Sequence, residues 1–172
     1  MNTALKKIVV MRHGHAAPHS GSDAERELTA AGRAACRNVA EKIATFFDES
    51  IGPGSQNNIK AIYHSPFLRT TQSAQELCTA LPGKGPEPVL VPANALLGDR
   101  SPQQLLAWLE TEAIERAVLL SHQPLVSQLV AWLVDADSSA LAGRNYPMAP
   151  AAIACLEFEY AAPGAFGLHS LV

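Results

Sequence analysis

Short apolar runs alternate with amphipathic segments along this chain, and that alternation constrains the fold more than any other feature. The run Lys7–Met11 is apolar and rich in β-branched residues, which is typical of a strand buried on both faces. Lys60–His64, Glu87–Val91 and Arg116–Ser121 predict three further strands. Strands that alternate with helices indicate a mainly parallel sheet with helices on both of its faces.

Four segments between and after these strands have helical patterns. Thr29 is a predicted N-cap for a helix that continues to Phe46-Phe47, and Ser101-Pro102 begins another that extends to about Ile114. The other two predicted helices are Phe67–Leu81, which ends before Pro82-Gly83, and a helix that begins at Pro124. The turn-rich segment Gly52–Ser55 predicts a loop, and Ile153–Glu159 and Phe166–Leu171 predict a final, antiparallel strand pair. We expect one α/β domain over residues 1–172, a three-layer α/β/α sandwich without a large cap domain.

Length and charge exclude several classes of protein. The 172 residues are too few for a (β/α)₈ barrel, which needs roughly 250. Thirteen Lys and Arg against sixteen Asp and Glu give a net charge of −3, which argues against nucleic-acid binding. The apolar stretch Ala117–Val134 has a polar cluster in its middle, so we expect no membrane span, and we see no secretory signal. The expected location is the cytoplasm. Cys36, Cys78 and Cys155 each stand among apolar neighbours, so we expect three buried, inert thiols.

Cationic and imidazole side chains follow the predicted strands, where functional groups gather in open α/β sheets. Arg12, His13 and His15 follow the first strand, and His122 follows the fourth. Arg69 lies one helical turn beyond the second. No carboxylate accompanies them at these strand ends, so the cluster predicts an anionic ligand.

A phosphoryl group suits this cluster best. Arginine binds its oxygens in pairs, and free helix N–H groups beside Arg12 and Arg69 also favour anions. Gly14 allows the backbone to approach a ligand closely. A neutral imidazole is also a nitrogen nucleophile, which a site that only binds phosphate does not need.

Four stretches of the chain resemble motifs of the histidine phosphatase (phosphoglycerate mutase-like) superfamily. Met11–Ala16 resembles its R-H-G signature, Ser65–Ser73 its S-P-x-x-R-x-x-Q-T block, and Ser121–Pro124 the late motif that carries a second histidine. The short length, the Ser-Pro-Phe-Leu-Arg string, and Arg26 ahead of Leu28–Gly32 resemble the SixA-type phosphohistidine phosphatase branch most closely. The resemblance extends from about residue 7 to about residue 156.

The resemblance implies a role for each matching residue. His13 matches the nucleophile that becomes phosphorylated, and His122 matches the second histidine, which binds and polarises phosphoryl oxygens. Arg12 and Arg69 match the phosphate-binding arginines, and Arg26 matches a further arginine of the SixA-type pocket. No metal or other cofactor is expected, because cationic side chains stabilise the charge of the phosphoryl oxygens.

Two departures from the family pattern bear on the substrate. His15 stands where SixA-type sequences commonly carry Asp or Glu, so it is only a possible accessory group. No inserted segment supplies a general acid, and Asp99 and Glu110 are weak candidates for one. A leaving imidazole needs less acid assistance than an alkoxide, so phosphohistidine is the expected substrate. An uncapped pocket further suggests a phosphorelay or phosphotransfer protein as the partner, with inorganic phosphate or a similar oxyanion as a pocket ligand.

Three other functions stay open at this point. The first is a general small-molecule phosphomonoesterase of the same superfamily. The second is a phosphate-binding regulatory module without catalysis. The third is a metal enzyme that uses the spacing His13-x-His15 with His19 or His64, although neighbouring arginines would repel a cation.

Overall fold

The computed structural model describes residues 5–18, 21–48, 59–82 and 86–172. In this part of the chain, six strands form one mixed sheet in the order β3-β2-β4-β1-β5-β6. Their bounds are β1 Lys6–Arg12, β2 Ala61–His64, β3 Val89–Pro92, β4 Arg116–Ser121, β5 Ile153–Phe158 and β6 Phe166–Leu171. The predicted loop at Gly52–Ser55 lies outside the described residues, as do Gly83 and His19.

The helices among the described residues alternate with the first four strands, as the sequence predicts. Their bounds are α1 Ala30–Asn38, α2 Ala40–Asp48, α3 Leu68–Ala80, α4 Pro102–Thr111 and α5 Leu125–Asp135. Short 3₁₀ helices occur at Asp23–Glu25, Asn94–Leu96 and Ala142–Asn145. The predicted N-cap at Thr29 is confirmed, because its hydroxyl accepts a hydrogen bond from Gly32 N.

Three predicted boundaries are wrong. The single helix expected up to Phe47 divides at Val39, where Asn38 and the β-branched Val39 both have low helix propensity. The helix α4 ends at Thr111 rather than near Ile114, because Ala113 takes a left-handed conformation with φ of 48°. The third strand begins at Val89, since the preceding proline has no N–H to donate to the sheet.

The sheet is parallel on one side of β1 and antiparallel on the other. β1 pairs in parallel with β4, and Arg12 stands opposite Ser121. β2 pairs in parallel with both β4 and β3. β5 is antiparallel to β1 and to β6, which confirms the predicted final strand pair. The carboxyl ends of β1, β2 and β4 therefore meet at one edge of the sheet.

Two apolar cores lie on opposite faces of the sheet. Ile8 and Val10 of β1 face the core that α4 and α5 cover, whereas Val9 and Met11 face the core covered by α1 to α3. Burying each large apolar side chain contributes about 1.5–3 kcal/mol, so the central strands are strongly held. This arrangement confirms the three-layer α/β/α sandwich and explains why β1 shows no polar alternation.

The structure also bears on the expectations for the cysteines, a membrane span and a cap domain. Of the three cysteines, Cys36 and Cys155 are buried, whereas Cys78 is only half-buried, less than its apolar neighbours predict. No helix in the described ranges is both long and apolar enough to cross a membrane. Nor does any inserted segment within these ranges form a cap domain over the strand ends.

The loop after β1 packs directly against the first turn of α1. A Cβ added at Gly32 would lie 2.2 Å from His15 O, and one added at Gly14 would lie 2.6 Å from Gly32 O. Only glycine permits so close an approach of two backbone segments. The two glycines thus fix the loop that carries His13 against the helix.

We expect Gly32→Ala to lower the free energy of unfolding by about 1–3 kcal/mol, since the added methyl group must displace the loop backbone. Urea unfolding measures this loss. Gly167→Ala is the matched control, because a Cβ there meets nothing closer than Glu157 O at 3.9 Å. Equal unfolding midpoints for the two variants would contradict the proposed close packing.

Candidate active site

The two histidines of the sequence motifs come together at the carboxyl ends of the parallel strands. The ring centroids of His13 and His122 lie 5.2 Å apart, with the rings edge to face. His13 N donates to Ser121 O and Ser65 N donates to Leu120 O, so the segments leaving β1 and β2 both stay anchored to β4. The edge of the sheet therefore positions this histidine pair.

Hydrogen bonds set the tautomer of the His13 ring. Nδ1 lies 2.7 Å from Gly14 O, and because a carbonyl only accepts, Nδ1 carries the proton. Nε2 lies 3.3 Å from Nε of Arg69, which donates to it. The ring is therefore neutral, and its Nε2 lone pair faces a guanidinium group.

Burial is the main cause that lowers the pKa of His13 to about 4. The hydrogen bond to Gly14 O acts in the opposite direction, because it favours the protonated ring. The positive charges of Arg69, Arg12 and Arg26 lower the pKa further by repulsion. These same charges would stabilise an oxyanion bound beside the ring.

His122 is held by its neighbours in a neutral state. Burial lowers its pKa to about 3, and the nearby His13 and Arg69 lower it further. Its Nε2 lies 2.8 Å from Oγ of Ser65, and the Phe67 ring packs against it with centroids 5.1 Å apart. Ser65 and Phe67 thus fix the ring from two sides.

Arg69 is almost fully buried, which is unusual for an arginine. Its Cζ lies 5.0 Å from the Phe67 ring centroid. Nη1 donates to Asp23 O at 2.6 Å, and Nη2 donates to Asp23 Oδ2 at 2.9 Å. The guanidinium group is therefore held in one orientation, with Nε directed at His13.

Main-chain carbonyls anchor the other two arginines. Nη1 of Arg12 donates to Met148 O at 2.9 Å. Nε of Arg26 donates to Ala17 O at 3.0 Å, and its Nη1 reaches Asp23 Oδ1 at 3.2 Å. Although Arg26 leaves the 3₁₀ helix in a loop, it shares the Asp23 carboxylate with Arg69.

Two buried nitrogens in this cluster lack a hydrogen-bond partner among the described residues: Arg12 Nε and His122 Nδ1. Buried polar atoms in proteins are nearly always paired. If the Ser65 hydroxyl donates to His122 Nε2, Nδ1 carries a proton, and both unpaired atoms are then donors. Two unpaired donors beside three guanidinium groups suit a tetrahedral oxyanion.

Other candidate residues lie in different surroundings. His15 is exposed and its Nδ1 lies 3.2 Å from Thr29 Oγ1, at the start of α1. Asp99 directs an 80% exposed side chain toward Arg100, and Glu110 is exposed near the end of α4. Within the described ranges, no three His, Cys, Asp or Glu side chains form a group that could hold a metal ion.

The sequence analysis missed several supporting contacts of the site. Gln72 Oε1 accepts from Leu28 N, and Ser73 Oγ accepts from Gly14 N. The polar positions around Arg69 in the motif were the available signal for these two residues and for Ser65. The backbone carbonyl of Met148 gives no such signal, because any residue type could supply it.

Comparison with known proteins agrees with this geometry. The chain is 30% identical over 135 residues to phosphohistidine phosphatase SixA of Escherichia coli (strain K12), covering 77% of this chain and 76% of that protein. No protein-family profile matches the chain.

Solved structures share the same fold. A structure of the protein histidine phosphatase SixA complexed with tungstate superposes with a TM-score of 0.72 at 23% identity, covering 96% of both chains. A phosphoserine phosphatase from Entamoeba histolytica gives a TM-score of 0.66 at 15% identity, covering 96% of this chain and 95% of that one. A mycobacterial glucosyl-3-phosphoglycerate phosphatase gives a TM-score of 0.64 at 17% identity, covering 96% of this chain and 97% of that one.

The fold and the paired histidines define the class of protein. The chain is a phosphatase with the phosphoglycerate mutase-like fold, a hydrolase that acts on phosphoryl groups. Within the histidine phosphatase superfamily, it belongs to the SixA family.

We expect the imidazoles of His13 and His122 to stay neutral from pH 8 down to about pH 5. Both pKa values are lowered, to about 4 and about 3, so protonation begins only as the pH falls below that range. Imidazole ¹⁵N chemical shifts, recorded in a pH titration, measure this directly. Assignment is by loss of each signal in His13→Ala and His122→Ala. A midpoint near pH 6.5 for either ring would contradict the buried, cation-flanked environment.

Proposed function

We propose that this protein removes the phosphoryl group from phosphohistidine on a phosphorelay or phosphotransfer protein, through a phosphorylated His13. The observation that carries the proposal is the neutral His13 ring, whose Nε2 lone pair faces Arg69 at 3.3 Å. Similarity to the Escherichia coli SixA supports the choice of substrate. The proposal includes one catalytic domain over residues 1–172 and a cytoplasmic location, in keeping with the free thiols of Cys36 and Cys78.

In the first step, the Nε2 lone pair of His13 attacks phosphorus and forms a P–N bond. The substrate ring first takes a proton from solvent on the nitrogen that is not bonded to phosphorus; the P–N bond then breaks, its electron pair returns to the ring, and the ring departs as neutral imidazole. Nδ1 of His13 keeps its proton throughout, because Gly14 O accepts it. The attacking nitrogen needs no base, since it is already unprotonated.

The cationic side chains stabilise the charge that spreads over the phosphoryl oxygens during transfer. We assign this role to Arg12, Arg69 and Arg26. His122 donates to one oxygen through Nδ1, with Ser65 holding Nε2. The buried Arg12 Nε and His122 Nδ1 then both gain acceptors, which accounts for their lack of partners in the protein alone.

In the second step, water attacks the phosphorus of phospho-His13. The new P–O bond replaces the P–N bond, whose electron pair returns to Nε2 of His13, and inorganic phosphate leaves with the protons of the water. The ring thus returns to its starting tautomer, with the proton on Nδ1. His13 can leave readily because the surrounding cations favour a neutral ring over a protonated one. Two transfers thus need only one water and no cofactor.

Among the described residues, no protonated carboxyl group lies beside His13, which favours phosphohistidine over alkyl phosphates. The arginine hydrogen bond to Asp23 is the main cause that lowers the pKa of that carboxyl group, so it is ionised at neutral pH. Asp99 faces solvent. An imidazole leaving group that accepts a proton before departure needs little help, whereas an alkoxide needs an acid.

We expect a phosphohistidine-bearing phosphotransfer protein to give a higher kcat/KM than para-nitrophenyl phosphate. His13→Ala should lower turnover of both by about 10³-fold or more, because it removes the nucleophile. Rapid quenching with ³²P-labelled substrate should trap an alkali-stable, acid-labile label on the wild type but not on His13→Ala. His169→Ala, a histidine variant on β6, should retain activity and label.

Three results would contradict parts of this proposal. Equal kcat/KM for both substrates would indicate a general phosphomonoesterase. A label that persists in His13→Ala would place the nucleophile elsewhere. Oxyanion binding without turnover of either substrate would indicate a regulatory module.

A further inference from the structure

Asp23 lies between two arginines of the site, although the motifs assign it no role. It begins the 3₁₀ helix Asp23–Glu25, which Ser22 and Glu25 cap reciprocally. The loop that contains this helix is closed by a bridge between Ala16 and Leu28. The cap and the bridge thus hold Asp23 in position.

Asp23 contacts both arginines through different atoms. Its Oδ2 accepts from Arg69 Nη2 at 2.9 Å, and its main-chain oxygen accepts from Arg69 Nη1 at 2.6 Å. Its Oδ1 accepts from Arg26 Nη1 at 3.2 Å. One residue therefore fixes the relative positions of both guanidinium groups.

The hydrogens of Arg69 are divided between two tasks. A guanidinium group has five N–H donors arranged along two usable edges. Asp23 takes one donor from each terminal nitrogen, whereas Nε, on the other edge, is directed at His13 Nε2. A phosphoryl group bonded to His13 can therefore use Nε and the second Nη2 hydrogen without displacing Asp23.

We propose that Asp23 is a positioning residue, which holds Arg69 and Arg26 in the orientation that phosphoryl transfer to His13 requires. The inference rests on the proposed phosphatase function. The contact is more than an exposed ion pair, because Arg69 is 6% exposed and two oxygens of Asp23 hold it.

Two other roles for Asp23 lead to different kinetics. A general acid would have to be protonated, but the hydrogen bond from Arg69, more than any other factor, lowers the pKa of this carboxyl group. In the second role, Asp23 would occupy the phosphate site as a competitor, and its carboxylate would have to leave before substrate binds. The negative charge of Asp23 opposes binding of an oxyanion, whereas the orientation that it gives the arginines favours phosphoryl transfer, so we expect its loss to lower kcat more than affinity.

Asp23→Asn tests the proposal with Glu25→Gln as its matched control. Both remove one negative charge from the same 3₁₀ helix, but the described contacts of the Glu25 side chain are with Ser22. Measurements are kcat and KM for the phosphohistidine protein and for para-nitrophenyl phosphate, the tungstate inhibition constant, the pH profile and Tm. Asp23→Glu is the conservative variant.

For Asp23→Asn we expect kcat to fall about tenfold or more, since small misplacements of a charge-stabilising group are costly. Tungstate should bind equally or more tightly, because a repelling charge is gone. The shape of the pH profile and Tm should match those of Glu25→Gln, whose kcat stays within about twofold of wild type. Asp23→Glu should regain part of the lost kcat.

The remaining outcomes overturn the proposal. Unchanged kcat would show that Arg69 holds its position without the carboxylate. A raised kcat/KM would show that Asp23 competes with substrate for the phosphate site. Loss of the alkaline limb of the pH profile would show that Asp23 acts as a general acid. Loss of kcat together with a lowered Tm would show that Asp23 makes only a structural contact. Wild-type turnover and labelling of His13 test the proposed function separately. A wild type that hydrolyses neither substrate overturns both proposals.

Discussion

An imidazole can attack phosphorus only while one of its nitrogens is unprotonated, and the site is organised around that requirement. Burial and three nearby guanidinium groups disfavour the charged ring, and the Gly14 carbonyl fixes which nitrogen carries the proton. The same guanidinium groups are the natural partners of a phosphate dianion. One set of charges thus keeps the proposed nucleophile available and attracts the group it attacks.

The sheet makes this arrangement possible because its parallel half aligns three strand ends. β1 and β4 are adjacent and end level, so the residues that follow them face each other. β2 adds the segment that leads to Ser65 and Arg69. Two cores of large apolar side chains hold these strands rigidly, which suits a site where distances of a few tenths of an ångström matter.

The sequence predicts those parts of the structure in which the type of a residue shows directly whether it is buried in a strand or lies at the end of one. Fully buried strands must be apolar, and cations that follow the strands in sequence indicate an anion, so β1, β4 and the meeting of His13 with Arg69 could be predicted. Contrary to the prediction from sequence, the cluster is not free of carboxylates, because Asp23 pairs with Arg69. The division of the first helix at Val39 could not be predicted, because the low helix propensity of Asn38 and Val39 is a weak signal that an apolar periodicity often overrides. The role of Asp23 could not be predicted either, because only the folded loop places it beside arginines distant in sequence.

Met148 holds Arg12 through its backbone oxygen, and Gln123 Nε2 donates to the same oxygen. Because the peptide group provides this acceptor, most amino acids could replace the methionine without removing it. The residue type at this position can therefore change among related enzymes while the path of the backbone is preserved. A comparison of amino-acid sequences will therefore not detect this contact with Arg12, whereas a comparison of three-dimensional backbones will.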